Sequence, residues 1–185
     1  MLIYQYIADI ISKKIEKLAF LQSVYQNIKP NISIFTVEQK KINELIQNNR
    51  HIEALDELDS FNNKMEEQIV RILTEMVRNL SITIKNSEKF GIDSSKYEEK
   101  LQEIFVNINN GEYLNALNSI KDLTSKISME KMSIITQKVS DLSKRILDLV
   151  KQGENVKDLV TNLNRAKSLL ENKEIDSALE VLFDM

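Results

Sequence analysis

The chain has 185 residues, a formal net charge of −3 and 42% hydrophobic residues, the balance of a folded protein rather than a disordered or strongly basic one. With no cysteine it has no disulfide, thiolate metal site or cysteine nucleophile, which fits a reducing, cytoplasmic setting. Three glycines and one proline leave few breakers, which predicts an all-α chain of long helices.

The periodicity predicts a first helix over residues 3–28. Ile7, Ile11, Leu18, Leu21, Tyr25 and Ile28 recur at helical spacings on one face, and Ile3, Ile10, Ile15 and Val24 widen it. Lys14 interrupts the stripe, a position a long lysine stem tolerates. No run approaches the ~18 apolar residues of a membrane span, and the start lacks the basic region and cleavage site of a signal peptide. Pro30 ends the helix, because the residue before a proline avoids the α region.

The second helix is expected over 33–48. Ser33 or Thr36 would cap it, Thr36 and Gln39 making a capping box, and Phe35, Ile42, Leu45 and Ile46 would be buried. Asn48-Asn49 closes it. From Arg50, with Ile52, Leu55, Leu58 and Phe61 facing inward, no Gly or Pro occurs until after Phe90. This predicts one continuous helix of about 40 residues, with Asn62-Asn63 as its only soft point. Its stripe continues through Met65, Ile69, Ile72, Met76, Leu80 and Ile84.

Gly91 follows as a left-handed C-cap, and Ser95 with Glu98 reads as a capping box for the next helix. Tyr97, Leu101, Ile104, Phe105 and Ile108 line that helix, which ends at Asn109-Asn110-Gly111. Another long helix runs from Tyr113 toward Gly153 with Met132, Ile135, Val139, Leu142, Ile146 and Leu149 on its stripe. Two shorter helices, from Val156 and from Lys173, complete the chain.

A short phrase recurs along these elements. Asn48–Leu55, Asn110–Leu117 and Asn172–Leu179 each begin with Asn and end in Ala-Leu, at a spacing of 62 residues. The chain has only three Ala-Leu dipeptides, and all three lie in this register. Gly91 and Gly153 also stand 62 residues apart, with Pro30 one position from the same slot. The pattern predicts three tandem three-helix repeats, at residues 1–62, 63–124 and 125–185, in an elongated or curved helical array.

The Gly111, Tyr113 and Ala116 of the middle phrase resemble the turn and second-helix start of a tetratricopeptide repeat. There a glycine permits the turn, an aromatic packs over it and an alanine lets helices touch. The other copies have Asn49 and Lys173 in place of Gly111, and the period exceeds the about 34 residues of that family. A third helix running into the next unit's first is similar to spectrin repeats. Both resemblances imply scaffolding and protein–protein contact.

Chemistry-bearing patterns are sparse. His51 is the only histidine, and Asn48 stands three residues before it, so no Glu-x-x-His metal motif forms. His51 occupies the slot of Tyr113 and Ile175 and is expected to pack over the turn. Three isolated glycines make no phosphate loop, and the acid pairs Glu66-Glu67 and Glu98-Glu99 point about 100° apart on a helix. The expectation is a protein without enzymatic activity, metal or cofactor. Lys13, Lys14 and Lys17 make a basic helix face for a weak nucleic-acid or acidic ligand, but with five arginines in the chain nucleic acid is the lesser expectation.

Met65, Ile69, Val70, Ile72, Leu73 and Met76 fall where the long helix has no partner inside its own repeat. Either the chain folds back to bury them or a second molecule covers them. The contact residues expected are Ile69, Ile72, Leu73 and Met76, for a protein partner or a second copy in a homodimer.

Overall fold

The computed structural model describes residues 2–30 and 36–184. Seven α-helices occur among them: α1 Leu2–Ile28, α2 Thr36–Gln47, α3 His51–Ser87, α4 Glu98–Asn109, α5 Tyr113–Lys151, α6 Lys157–Glu171 and α7 Ile175–Phe183. Short 3-10 turns at Glu88–Phe90 and Ser95–Tyr97 join α3 to α4. The chain is all-α: no strand occurs among the described residues. No helix among them is long and apolar enough to cross a membrane. Ser33, Phe35 and the side chains of Ile3 and Thr36 lie outside the description, and with them the cap expected for α2.

The long helix expected after Arg50 is continuous through Asn62-Asn63. Asn62 is a poor helix former, yet here it is buried and its amide donates to the Lys14 carbonyl of α1 at 3.1 Å. That bond gives the polar side chain a partner where a turn would otherwise have been the easier outcome. The capping box expected at Ser95 and Glu98 does not form. Asp93 takes that work instead, its Oδ1 accepting from the Ser95 backbone N–H at 3.0 Å and the Ser95 hydroxyl at 2.7 Å.

The turns repeat in detail. Asn49 is left-handed, with φ 57°. Its N–H donates to the Ile46 carbonyl at 3.1 Å, and the Arg50 N–H donates to Leu45 at 2.9 Å. Two carbonyls that a helix end leaves open are thereby satisfied. The same pair of bonds recurs at Gly111 (φ 77°), to Ile108 and Asn107, and at Lys173 (φ 63°), to Leu170 and Leu169. In the next turn of helix Ala54, Ala116 and Ala178 donate to Arg50, Glu112 and Glu174, each at 3.0 Å. All three alanines are 0% exposed. The other turn behaves likewise: Gly91 and the residue after it bond to Glu88 and Ser87, and Gly153 and the residue after it to Val150 and Leu149.

The chain divides into two units, Met1–Val77 with Glu103–Asn118, and Arg78–Gln102 with Ser119–Met185. In the first, Lys14 pairs with Asp59 and Lys17 with Glu66, so α1 and α3 run in the same direction, their residue numbers rising together. α2 returns between them, and Lys41 reaches Glu57 across the turn. Leu21, Leu58, Met65, Ile69 and Leu73 are fully buried. Each such side chain contributes about 2 kcal/mol of hydrophobic stabilisation, an upper value because unfolded chains already bury some surface.

The second unit is centred on Phe90, Ile135, Leu163, Ala166, Leu179 and Leu182. α6 and α7 pack as a hairpin. α5 and α7 run in the same direction, Lys131 pairing with Asp176 and Lys138 lying 4.0 Å from the Phe183 ring centre. Each of these pairs joins residues 45 apart, as Lys14 and Asp59 are in the first unit.

Several stripes differ from the expected ones: Phe105 of α4 is 42% exposed and Ile15 of α1 41% exposed. In the middle of α5 Ile127, Lys131 and Ile135 are buried, while Met132 is 41% exposed. On α3 Ile52 is 71% exposed, and Ala54 takes the inward position instead. Close approach at the turn sets the buried face at Ala54 and four-residue spacing sets it along α5, over hydropathy alone.

Candidate functional site

The most developed polar cluster joins three helices of the first unit. One Glu66 oxygen accepts from the Lys17 ammonium at 2.7 Å, the other from the Tyr113 hydroxyl at 2.8 Å. The Lys17 ammonium holds the Glu66 carboxyl below its usual range against the opposing effect of burial, and the Tyr113 hydroxyl helps. Burial, then the Glu66 carboxylate, pushes the Tyr113 hydroxyl well above the ordinary tyrosine range. Both Glu66 oxygens are engaged with a fixed neighbour, so the cluster fastens α1, α3 and α5 together and presents no poised acid or base.

The four expected contact residues do not form one surface. Ile69 and Leu73 are 0% exposed, and Ile72 and Met76 are half-buried. Of the two alternatives for this stretch, folding back describes Ile69 and Leu73, and a second molecule has no access to either in this conformation. The basic face is also partly occupied: Lys14 and Lys17 are paired with Asp59 and Glu66, and Lys13 is exposed. His51 is half-buried at the turn, its Nδ1 buried without a hydrogen-bond partner. Among the described residues no group of three or more His, Asp or Glu side chains is placed to hold a metal ion.

An incompletely covered surface lies elsewhere, in the second unit. Val139, Leu142 and Ile146 of α5 pack on the edge of the core and remain half-exposed, and Leu147 and Val150 beside them are 61% and 54% exposed. Leu142 lines a groove with Lys138, Asp141, Arg145 and Leu182. This surface is apolar along its floor and charged along its rim, the composition of a protein contact patch. In the first unit Tyr4 and Tyr6 stand out from α1, 73% and 68% exposed. Sequence periodicity assigned Val139, Leu142 and Ile146 to a buried stripe. Val77, Leu80 and Ile84 hold the same positions 62 residues earlier and are buried.

No family model, curated protein or solved structure matches the chain.

Proposed function

We propose that this is a non-enzymatic helical-repeat scaffold of the cytoplasm, built from three tandem three-helix units at 1–62, 63–124 and 125–185, that acts by protein–protein contact or self-association. The observation that carries the reading is the recurrence of one turn, with the same two hydrogen bonds and the same buried alanine, at Asn49, Gly111 and Lys173. Units related in this way bury a shared core by stacking, and present side chains at a fixed pitch. The polar residues that do cluster are spent on holding helices together, as Glu66 is. The half-exposed face of α5 supplies the apolar floor and charged rim that a partner recognises.

The test is crosslinking in a native extract with the wild-type chain and with Leu147→Glu plus Val150→Glu. The reading expects a protein or a second copy to be recovered with the wild type and lost with the variant. Recovery of neither, together with turnover of a small molecule, would overturn it.

A further inference from the structure

We propose that the protein associates head to tail, α1 of one copy seating on the open stripe of α5 in another so that the 62-residue register runs on from molecule to molecule. The inference rests on the repeat reading and names the partner for it: a second copy of the same chain.

The first observation is apolar. Val77, Leu80 and Ile84 of α3 are 0%, 5% and 3% exposed. Their register equivalents Val139, Leu142 and Ile146 are half-exposed. In α1 the residue equivalent to Val77 and Val139 is Ile15, 41% exposed. The described part of α1 matches α3 from residue 64 and α5 from residue 126 onward, the segments that follow a repeat's last helix. A copy of α1 therefore has the register of the segment the α5 stripe calls for.

The second observation is polar and independent. Among the described residues, ion pairs that join one repeat to the next are Lys17 to Glu66 at 2.7 Å, Lys96 to Glu130 at 2.6 Å, and Lys89 to Glu180 at 2.6 Å. Moving each pair along the register to the junction between copies gives Asp141 with Tyr4, Asp158 with Tyr6, and Lys151 with Asp56. All six residues are exposed. Where the carboxylate has become a tyrosine, the facing lysine has become an aspartate. The roles of donor and acceptor exchange, and a hydroxyl donates to a carboxylate as Tyr113 does to Glu66. The third pair keeps its opposite charges. This correlated change explains why two tyrosines stand exposed on α1. Such an interface joins two different patches and grows by addition to either end.

The experiment measures mass by sedimentation across a concentration series. The wild type is expected to rise from monomer to dimer and beyond. Tyr4→Glu with Tyr6→Glu sets acids against Asp141 and Asp158 and should weaken association about tenfold or more. Adding Asp141→Lys and Asp158→Lys to that chain rebuilds at the junction the lysine–glutamate pairs found inside it, and association should return. Mixing the Tyr4→Glu/Tyr6→Glu chain with a second chain that carries only Asp141→Lys and Asp158→Lys should give a species of twice the monomer mass at concentrations where the tyrosine variant alone stays monomeric. All four positions are exposed, and circular dichroism checks that helicity is kept. A wild type that stays monomeric throughout, or a fourfold variant no better than the tyrosine variant, overturns the proposal. A monomer that still captures a different protein in the extract would leave the scaffold reading standing while this one fails.

Discussion

The second halves of α3 and α5 carry the same apolar register and bury it unequally. Val77, Leu80 and Ile84 are enclosed, and Val139, Leu142 and Ile146 stand half open. Residue type does not distinguish the two triplets, since valine matches valine and leucine matches leucine. The difference comes from what lies against each stripe. Around the end of α3, Phe90 shares a core with Ile135, Leu163 and Leu179, and Lys96 reaches Glu130. Burial is thus a property of what packs against a stripe as much as of a helix's own face.

That comparison can be broken most forcefully in the core. Leu73→Ala removes a side chain with no exposed surface and should cost about 3–4 kcal/mol, against about 1 kcal/mol for Leu142→Ala on the open stripe. Urea midpoints of the two variants measure the gap, and equal losses would mean that the α5 stripe is as enclosed as the α3 stripe. Ala116→Leu, at a 0% exposed contact beside the turn, should cost about 1–3 kcal/mol by overpacking. Leucine at the exposed Ile52, two residues before the equivalent Ala54, should change little.

Smaller effects sharpen the comparison among the turns. Gly111→Ala keeps the same bonds but forces a β-carbon into the left-handed region, and should lose about 1 kcal/mol. Lys173→Gly should gain about 0.5–1 kcal/mol, because the lysine already carries that strain at φ 63°. Thermal midpoints moving in opposite directions would support the equivalence of the two turns; parallel movement would deny it. The smallest effect is electrostatic. The folded Glu66 carboxyl lies below its unfolded value of about 4.3, so its contribution is present above that pH and lost as pH falls through the folded value. Glu66→Gln should flatten the acid limb of the stability profile by under about 1 kcal/mol, since the carboxylate is about a third exposed.

The helix ends were legible where a residue type announced them. Gly91, Gly111 and Gly153 were marked by what only glycine does cheaply. Lys173 would not have been chosen as left-handed from its type; its position in the register was the informative signal. The continuity of α3 was legible from the absence of breakers, but the use Asn62 makes of the Lys14 carbonyl was not, because it joins residues 48 apart. The candidate contact surface was the least legible part. Ile69 and Leu73 read as surplus apolar surface when α3 was matched only to the helices expected beside it, yet both are fully buried in the folded chain. The α5 stripe read as buried for the converse reason.

Lys131 has a bearing on how such a chain avoids folding wrongly. It occupies the stripe position held by Ile7 in α1 and Ile69 in α3, and its partner Asp176 occupies that of Ile52 and Leu114. At 6% exposure its amine needs that carboxylate, and Asp176 is wasted against an isoleucine. Helices that share one register invite exchange of one for another during folding. The lysine and aspartate act as a key and its lock: α7 docks without penalty on α5 alone, and α3 or α5 cannot displace it there without stranding a charge.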